Sequence, residues 1–320
     1  MRISARTATG RQNRLAQRKR ALAGGAAFLV LIAAAWLAAQ ETTLHLNVKL
    51  VSVFVNVTDR NGAIVGGLTK DNFAVFEDGR PQKIAVFERV SELPLNLIIA
   101  VDTSGSVSKD LRAEADAAHQ FAEDILRPQD RMSVMQFSTD VRVLTQFTNK
   151  PSQVYGGLKR LHTDFATAFY DAIVQGSDAL GSKEGRKALI VISDGDDTLG
   201  DKTYGDALEH ALRNEVMIYS LIDVPIEASA GRDTGGEHTM ITLSEQTGGK
   251  YYYVQQSGLD TVFKQVSEDL RTQYLIGYYP QKQLPGVDFH RISVTIPRAA
   301  PGDFNLRYRT GYYAEGEKTD

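Results

Sequence analysis

Alternation of apolar and polar residues marks the chain just after residue 40. Residues 44–57 read LHLNVKLVSVFVNV, in which every second residue is apolar and the phase shifts by one residue at Leu50–Val51. This pattern predicts a strand with one buried face, and the shift predicts a bulge or a second buried face. The turn dipeptide Asp78-Gly79 predicts a hairpin that joins FAVFE to KIAVFERV. We therefore predict a β-rich segment over residues 41–93.

The pattern changes at Pro94, where continuously apolar runs begin to alternate with segments of helical spacing. LNLIIAV, KALIVIS and VMIYSLI have the composition of strands covered on both faces. Between such runs lie helical segments, the clearest of which has apolar residues spaced 4-3-4-3 from Leu111 to Ile125. Strands that alternate with helices build right-handed βαβ units. We predict an α/β domain over residues 94–272, with a Rossmann-like, doubly wound, mostly parallel sheet in which VRVLTQF is an edge strand.

Strands return in the C-terminal segment, residues 273–320, with QYLIGYY, RISVTIP and FNLRYRTGYY. This segment and residues 41–93 are each small for a hydrophobic core of their own. Because the two ends of a domain often lie close together, we predict that the two β-rich segments form one β-sandwich around the inserted α/β domain.

The first 40 residues have the pattern of a targeting or anchoring element. Residues 1–20 contain seven basic residues and no acidic one, and residues 21–39 carry no charge. An apolar run of this length is close to what spans a bilayer, and its basic flank is expected to stay cytoplasmic. We predict a transmembrane anchor, with a cleaved signal peptide as the alternative. In both cases the chain from about residue 41 onward lies outside the cytoplasm.

Composition and charge exclude several classes of function. The 320 residues include no cysteine, which excludes disulfides, thiolate metal sites and cysteine nucleophiles. Beyond residue 40 the chain has 29 basic and 39 acidic residues. An acidic surface argues against nucleic acid and anionic lipid as partners. Contact with a membrane is therefore predicted only through the N-terminal apolar segment.

Oxygen-bearing side chains lie in three loops of the predicted α/β domain. LNLIIAV runs into Asp102, with Ser104 and Ser106 close behind; Asp194 follows KALIVIS, and Thr167 precedes a predicted helix. In an open parallel sheet, these positions meet at the carboxyl edge. Hard oxygen ligands suit Mg²⁺, with Mn²⁺ or Ca²⁺ as alternatives. We predict a divalent metal site in which the hydroxyls bind the ion directly and the two carboxylates act through water.

Local structural roles are the alternative for these residues. Asp102 is also suited to the end of a strand, and Ser104 or Ser106 to the N-cap of a helix. The neighbouring Asp196 and Asp197 complete no EF-hand loop, so we predict them to be solvated loop acids.

The five residues carry a resemblance to a known family. Asp102-x-Ser104-x-Ser106, with Thr167 and Asp194, resembles the metal-ion-dependent adhesion site (MIDAS) of von Willebrand factor type A domains. The β-rich flanks resemble those of the acidobacterial-type von Willebrand factor A-related subfamily. The resemblance implies a binding domain rather than an enzyme, in which magnesium bridges to a Glu or Asp of a protein ligand. One departure is Phe165-Ala166 in place of the common Gly-Gly before Thr167, which is expected to crowd the site.

The favoured function is therefore an extracytoplasmic, metal-dependent adhesion or interaction module of a bacterial envelope. Two alternatives stay open, a metal-assisted hydrolase and a structural subunit of an envelope assembly with a vestigial metal site. The chain has no G-x-S-x-G elbow and no phosphate-binding glycine motif after a strand. These absences weigh against a serine hydrolase and a nucleotide-dependent enzyme.

Overall fold

A computed structural model of the chain describes residues 50–89, 93–105, 111–223, 235–280, 288–300 and 302–314. Within these residues the chain forms one six-stranded sheet flanked by helices and two four-stranded sheets. The predicted fold class is confirmed. The predicted anchor or signal segment and the first part of the predicted 44–57 strand lie outside the described residues.

The strands of the described part are numbered in chain order. They are β1 (Val51–Asp59), β2 (Ala74–Glu77), β3 (Arg80–Gln82), β4 (Ile84–Arg89), β5 (Leu95–Asp102), β6 (Arg131–Phe137), β7 (Val141–Thr148), β8 (Arg186–Ser193), β9 (Val216–Ile222), β10 (Tyr251–Tyr253), β11 (Tyr274–Tyr278), β12 (Phe289–Thr295), β13 (Phe304–Arg307) and β14 (Gly311–Tyr313).

The helices of the same residues are numbered in the same way. They are α1 (Leu111–Ile125), α2 (Pro151–Leu158), α3 (Phe169–Gly181), α4 (Tyr204–Arg213), α5 (Gly235–Thr247), α6 (Val254–Ser257) and α7 (Leu259–Arg271), with a 3₁₀ turn at Lys70–Asn72. In the part of the chain that the structure covers, none of these helices combines the length and apolarity needed to span a membrane.

The six-stranded sheet has the order β10-β9-β8-β5-β6-β7. Its neighbours are parallel except for β6 and β7, so the predicted edge strand is confirmed. Every residue of β5 is buried, as expected of a central strand covered on both faces. One face packs on α1, α2 and α7, and the other on α3, α4 and α5. The sheet is therefore doubly wound, with its carboxyl edge open to ligands.

The two four-stranded sheets form the predicted β-sandwich. Their orders are β13-β1-β11-β4 and β14-β12-β2-β3, so each sheet contains two strands from each β-rich segment. Inward-facing residues of both sheets share one core, for example Val53, Ile276, Val75 and Ile292. Neither segment alone supplies this core, which agrees with the expectation that each is small for a hydrophobic core of its own.

The hairpin predicted at Asp78-Gly79 forms with a different second strand. Both turn residues have positive φ, and β2 pairs with the short β3 directly after the turn. The rest of the predicted partner, β4, lies in the opposite sheet beside β11, where Ile84 is buried in the shared core. The chain therefore crosses between the sheets at Lys83, because β4 pairs with β11 rather than with β2 and its Ile84 side chain packs into the core between the sheets.

A buried polar cluster joins the sandwich to the α/β domain. The Asp269 carboxylate, at the end of α7, accepts a hydrogen bond from the Tyr219 hydroxyl at 2.8 Å and forms an ion pair with Arg307 of β13. The Asp269 carbonyl accepts a hydrogen bond from the Asn56 amide at 2.8 Å. Burial, reinforced by the Asp269 charge, raises the pKa of Tyr219, so its hydroxyl stays neutral and donates. One carboxylate thus connects β9, α7 and β13.

Candidate metal site

The predicted site begins where two neighbouring parallel strands end. β5 ends at Asp102 and β8 at Ser193, and both side chains are fully buried. The Ser193 hydroxyl donates to Asp102 Oδ2 at 2.6 Å, and the Ser104 backbone N–H donates to Asp102 Oδ1 at 2.9 Å. The Gly195 N–H donates to the Ser193 hydroxyl at 2.9 Å. The Asp102 carboxylate is therefore held on both of its oxygens.

The charge of this carboxylate is poorly compensated. Burial raises the pKa of Asp102 to about 6, against the hydrogen bonds from Ser193 and Ser104 that lower it, and the nearby Asp194 charge raises it further. Two carboxylates are thus close enough to repel each other at a buried sheet edge. A bound divalent cation relieves this kind of repulsion, and the donor set of carboxylates and hydroxyls suits a hard ion such as Mg²⁺.

The Thr167 loop is fastened to the loops that follow β5 and β8. The Asp164 N–H donates to the Thr103 carbonyl at 3.0 Å, and Asp164 forms an isolated parallel bridge with Ser104. The Thr167 carbonyl accepts from the backbone of Thr198 at 2.9 Å, and its N–H donates to the Thr198 hydroxyl at 2.9 Å. Three loops distant in sequence therefore meet at one sheet edge.

Four of the five predicted residues lie in the described part. Asp102, Ser104 and Thr167 are buried, and Asp194 is half-buried. The structure brings Asp102 together with Ser104 and Asp194, and places the Thr167 loop against both neighbouring loops. Ser106 lies outside the described residues. The role of all five as metal ligands stays a prediction.

Three residues at or beside the site were not singled out by the sequence analysis. Ser193 orients Asp102, and its signal in the sequence is a lone hydroxyl at the carboxyl end of an apolar strand. Thr198 holds Thr167 through its hydroxyl. Ser138, which ends the β6 segment and accepts a hydrogen bond from the Ala168 N–H, has a buried hydroxyl that makes no hydrogen bond within the described residues.

The prediction that Asp197 is a solvated loop acid is wrong. Its carboxylate accepts hydrogen bonds from the backbone N–H groups of Phe169 at 2.7 Å and Tyr170 at 3.3 Å. These are the first two residues of α3, whose free N–H groups favour a negative partner. Asp197 therefore fixes the start of the helix that follows Thr167. The cap comes from a distant loop, so no local spacing in the sequence indicates it.

Gly195 allows the Asp194 loop to pack closely against α5. It has φ +86°, and a Cβ built there would lie 2.3 Å from the Gly236 carbonyl oxygen. Gly195→Ala is expected to lower the free energy of unfolding by about 2–4 kcal/mol, from left-handed strain and overpacking together. Gly62→Ala is the matched control, because Gly62 has φ +81° and open space around it. Urea unfolding of both variants measures the difference, and equal losses would contradict the close approach.

A second group of potential metal ligands lies in the β-sandwich, on strands other than those of the predicted site. Ligand atoms of Glu77, Asp78 and His290 all lie within 4.8 Å of one another. His290 Nδ1 and Asp78 Oδ2 are 2.8 Å apart, and Glu77 accepts hydrogen bonds from the Tyr278 and Tyr312 hydroxyls. The described residues therefore offer an acidic cluster that includes a histidine and can hold a metal ion, separate from the Asp102 edge.

Comparison with known proteins supports the family. Residues 97–196, inside the predicted α/β domain, match the family model of the von Willebrand factor type A domain. Domains of this family are generally protein-interaction modules and often bind a divalent metal. None of the curated proteins compared with the chain is a significant match. The predicted family is thus confirmed for this domain, and the acidobacterial-type subfamily stays a prediction.

Several solved structures are similar to the chain. An aerotolerance-related membrane protein from Bacteroides fragilis is 18% identical, with a TM-score of 0.43 over 55% of this chain and 98% of that chain. BatB from Bacteroides thetaiotaomicron is 19% identical, with a TM-score of 0.44 over 56% and 100%. The von Willebrand factor domain of a type V pilus tip protein from Porphyromonas gingivalis is 16% identical, with a TM-score of 0.32 over 33% and 39%.

Proposed function

We propose that the chain, through its von Willebrand factor type A domain, is an extracytoplasmic module that captures a carboxylate of a partner protein on a bound Mg²⁺. Asp102, Ser104, Ser106, Thr167 and Asp194 hold the ion in this proposal, with Mn²⁺ or Ca²⁺ as alternatives. The observation that supports it best is the buried Asp102 carboxylate, oriented by Ser193 and Ser104 at the junction of three loops.

The contacts of Asp102 suggest how the ion keeps its affinity for an outside acid. Both Asp102 oxygens already accept protein hydrogen bonds, so this carboxylate is suited to act through water on the ion and to orient the surrounding hydroxyls. An ion held mainly by neutral hydroxyls retains more of its charge than one bound directly by carboxylates. A carboxylate from a partner then supplies the missing negative charge. The role is binding, and no catalytic step is proposed.

The location outside the cytoplasm rests on the N-terminal sequence pattern. Seven basic residues followed by the uncharged run 21–39 favour a membrane anchor that leaves the folded part on the outer side. N-terminal sequencing of the protein from the membrane fraction distinguishes this anchor from a cleaved signal peptide. An intact basic segment supports the anchor, and a mature start near Gln40 contradicts it in favour of a cleaved signal peptide.

A capture experiment tests the proposed function. The purified full chain is immobilised and exposed to envelope extract with Mg²⁺ or with a chelator, in the presence of acetyl-aspartate amide or acetyl-asparagine amide. We expect a bound protein that the chelator releases and that the aspartate compound alone displaces. The Asp102→Asn variant should capture nothing, and the exposed-site control Asp71→Asn should behave like the original chain. Capture that survives chelation and the Asp102→Asn substitution would overturn the proposal.

A further inference from the structure

Two large apolar side chains stand in solvent beside the candidate metal site. Phe165 is 98% exposed and Leu199 is 52% exposed, although most apolar side chains of this size in the described part are at least half-buried. Phe165 lies two residues before Thr167, and Leu199 lies on the loop that follows Asp194. We call this pair the apolar rim. Isolated exposed apolar residues are ordinary on protein surfaces, so their position is what matters here.

The apolar rim is held by the same backbone bonds that assemble the site. The Phe165 N–H donates to the Asp164 carboxylate at 2.8 Å, and Asp164 is itself fixed to the Thr103 carbonyl. The Leu199 N–H donates to the Thr167 carbonyl at 3.1 Å. The two backbone positions are therefore fastened to the loops of the candidate metal ligands, Phe165 through Asp164 and Leu199 through Thr167. Aromatic side chains at such positions contribute strongly to binding when a partner buries them.

The charges around the site restrict the partner further. Asp164 lies next to Phe165, and Asp196 and Asp197 follow Asp194 after one intervening residue, Gly195. A partner segment with several acidic residues would be repelled by these carboxylates, whereas a single acid can be held by the ion. Apolar neighbours of that acid can pack against the apolar rim, which removes apolar surface from water on both sides.

We infer that the partner presents one Asp or Glu flanked by large apolar residues, and that Phe165 is the residue of this chain that selects it. The inference rests on the proposed function, because it requires an ion that binds the acid. It extends that function by naming the chemistry of the recognised segment, an acid within an apolar stretch rather than an acidic run.

Short peptides test the selection directly. The probes are acetyl-Gly-Leu-Asp-Leu-Gly-amide, its Gly-Ala-Asp-Ala-Gly and Gly-Asp-Asp-Asp-Gly analogues, and Gly-Leu-Asn-Leu-Gly as the uncharged control. Calorimetry on the full chain with Mg²⁺ should show the Leu-flanked acid binding about tenfold more tightly than either acidic analogue, and the Asn peptide not binding. Phe165→Ala should remove this tenfold preference and leave the Mg²⁺ affinity unchanged. Val143→Ala, at an exposed residue of β7, should change neither.

The outcomes separate the inference from the proposed function. If the original chain binds Mg²⁺ but prefers none of the three acidic peptides, binds none of them, or keeps its preference in Phe165→Ala, the inference is overturned and the metal site stands. If the original chain does not bind Mg²⁺ at all, the proposed function fails and the inference fails with it.

Discussion

The substitution Asp102→Asn is expected to reduce Mg²⁺ affinity by about 10- to 100-fold or more and to raise the stability of the metal-free protein. The loss of affinity follows from removing the buried negative charge that orients the site. The gain in stability follows from the same charge, because an ionised carboxylate at 0% exposure beside Asp194 is costly when no cation is bound.

The stability that the Asp102 carboxyl contributes to the metal-free protein depends on pH. Burial raises the pKa of Asp102 to about 6 in the folded chain, above its value of 3.8 as a free side chain, so the folded state binds the proton more tightly than the unfolded state. The corresponding stability is fully present below pH 3.8 and is lost as the pH rises through about 6. The loss amounts to roughly 3 kcal/mol at neutral pH. Asn carries no charge and avoids this loss, but its side chain accepts one hydrogen bond fewer than the carboxylate. We therefore expect the free energy of unfolding of the metal-free protein to rise by about 1–2 kcal/mol.

Thermal unfolding with and without Mg²⁺ measures both effects. In chelator at neutral pH, Asp102→Asn should unfold at a higher temperature than the original chain, and the difference should shrink at about pH 5. At an Mg²⁺ concentration that saturates the original chain only, the original chain should gain stability and the variant should gain little. Asp71→Asn removes an exposed carboxylate of the sandwich and should leave both curves unchanged. A variant that keeps its Mg²⁺ stabilisation would show that Asp102 does not serve the metal.

Asp269→Ala is expected to destabilise the fold by about 3–5 kcal/mol, a larger loss than we expect from Gly195→Ala. The change leaves Arg307 without its ion-pair partner and Tyr219 without a hydrogen-bond acceptor, both at the junction between the sandwich and the α/β domain. A buried charge stripped of its partner costs far more than the pair contributes. Because the cluster connects both parts, we expect them to lose stability together.

Urea unfolding followed by tyrosine fluorescence measures this loss. Glu209→Ala is the control, since it removes the exposed ion pair of Glu209 with Arg213 and should cost about 1 kcal/mol or less. A loss of similar size in both variants would show that Asp269 is solvated in solution. A second transition in Asp269→Ala would show instead that the two parts unfold separately once the junction is broken.

The sheet of the α/β domain was predictable because strands that are buried on both faces consist mainly of apolar residues. β5, β8 and β9 contain short apolar runs rich in Ile, Leu and Val, and their length and β-branched content favour strands over buried helices. The sandwich was predictable only as an association of two short segments. The path of β4 was not predictable, because alternation indicates which face of a strand is buried but not which strand it pairs with.

The candidate site was predictable in its carboxylates and in Ser104 because they follow strands that end at one edge, and in Thr167 because it precedes a helix at that edge. The residues that orient it were not. Ser193 acts on Asp102 from 91 positions away, and Asp197 caps a helix that begins 28 positions earlier. Such contacts depend on how the loops pack against one another, and neither residue type nor local spacing in the sequence indicates them.

Crystals of the full chain grown or soaked with Mn²⁺, with anomalous scattering recorded from the ion, test the proposed metal site most directly. We predict one strong anomalous peak at the carboxyl edge of the six-stranded sheet, within bonding distance of Ser104 and Thr167 and lost in Asp102→Asn. A peak confined to the cluster of Glu77, Asp78 and His290, or none at the sheet edge, would contradict a metal site at Asp102.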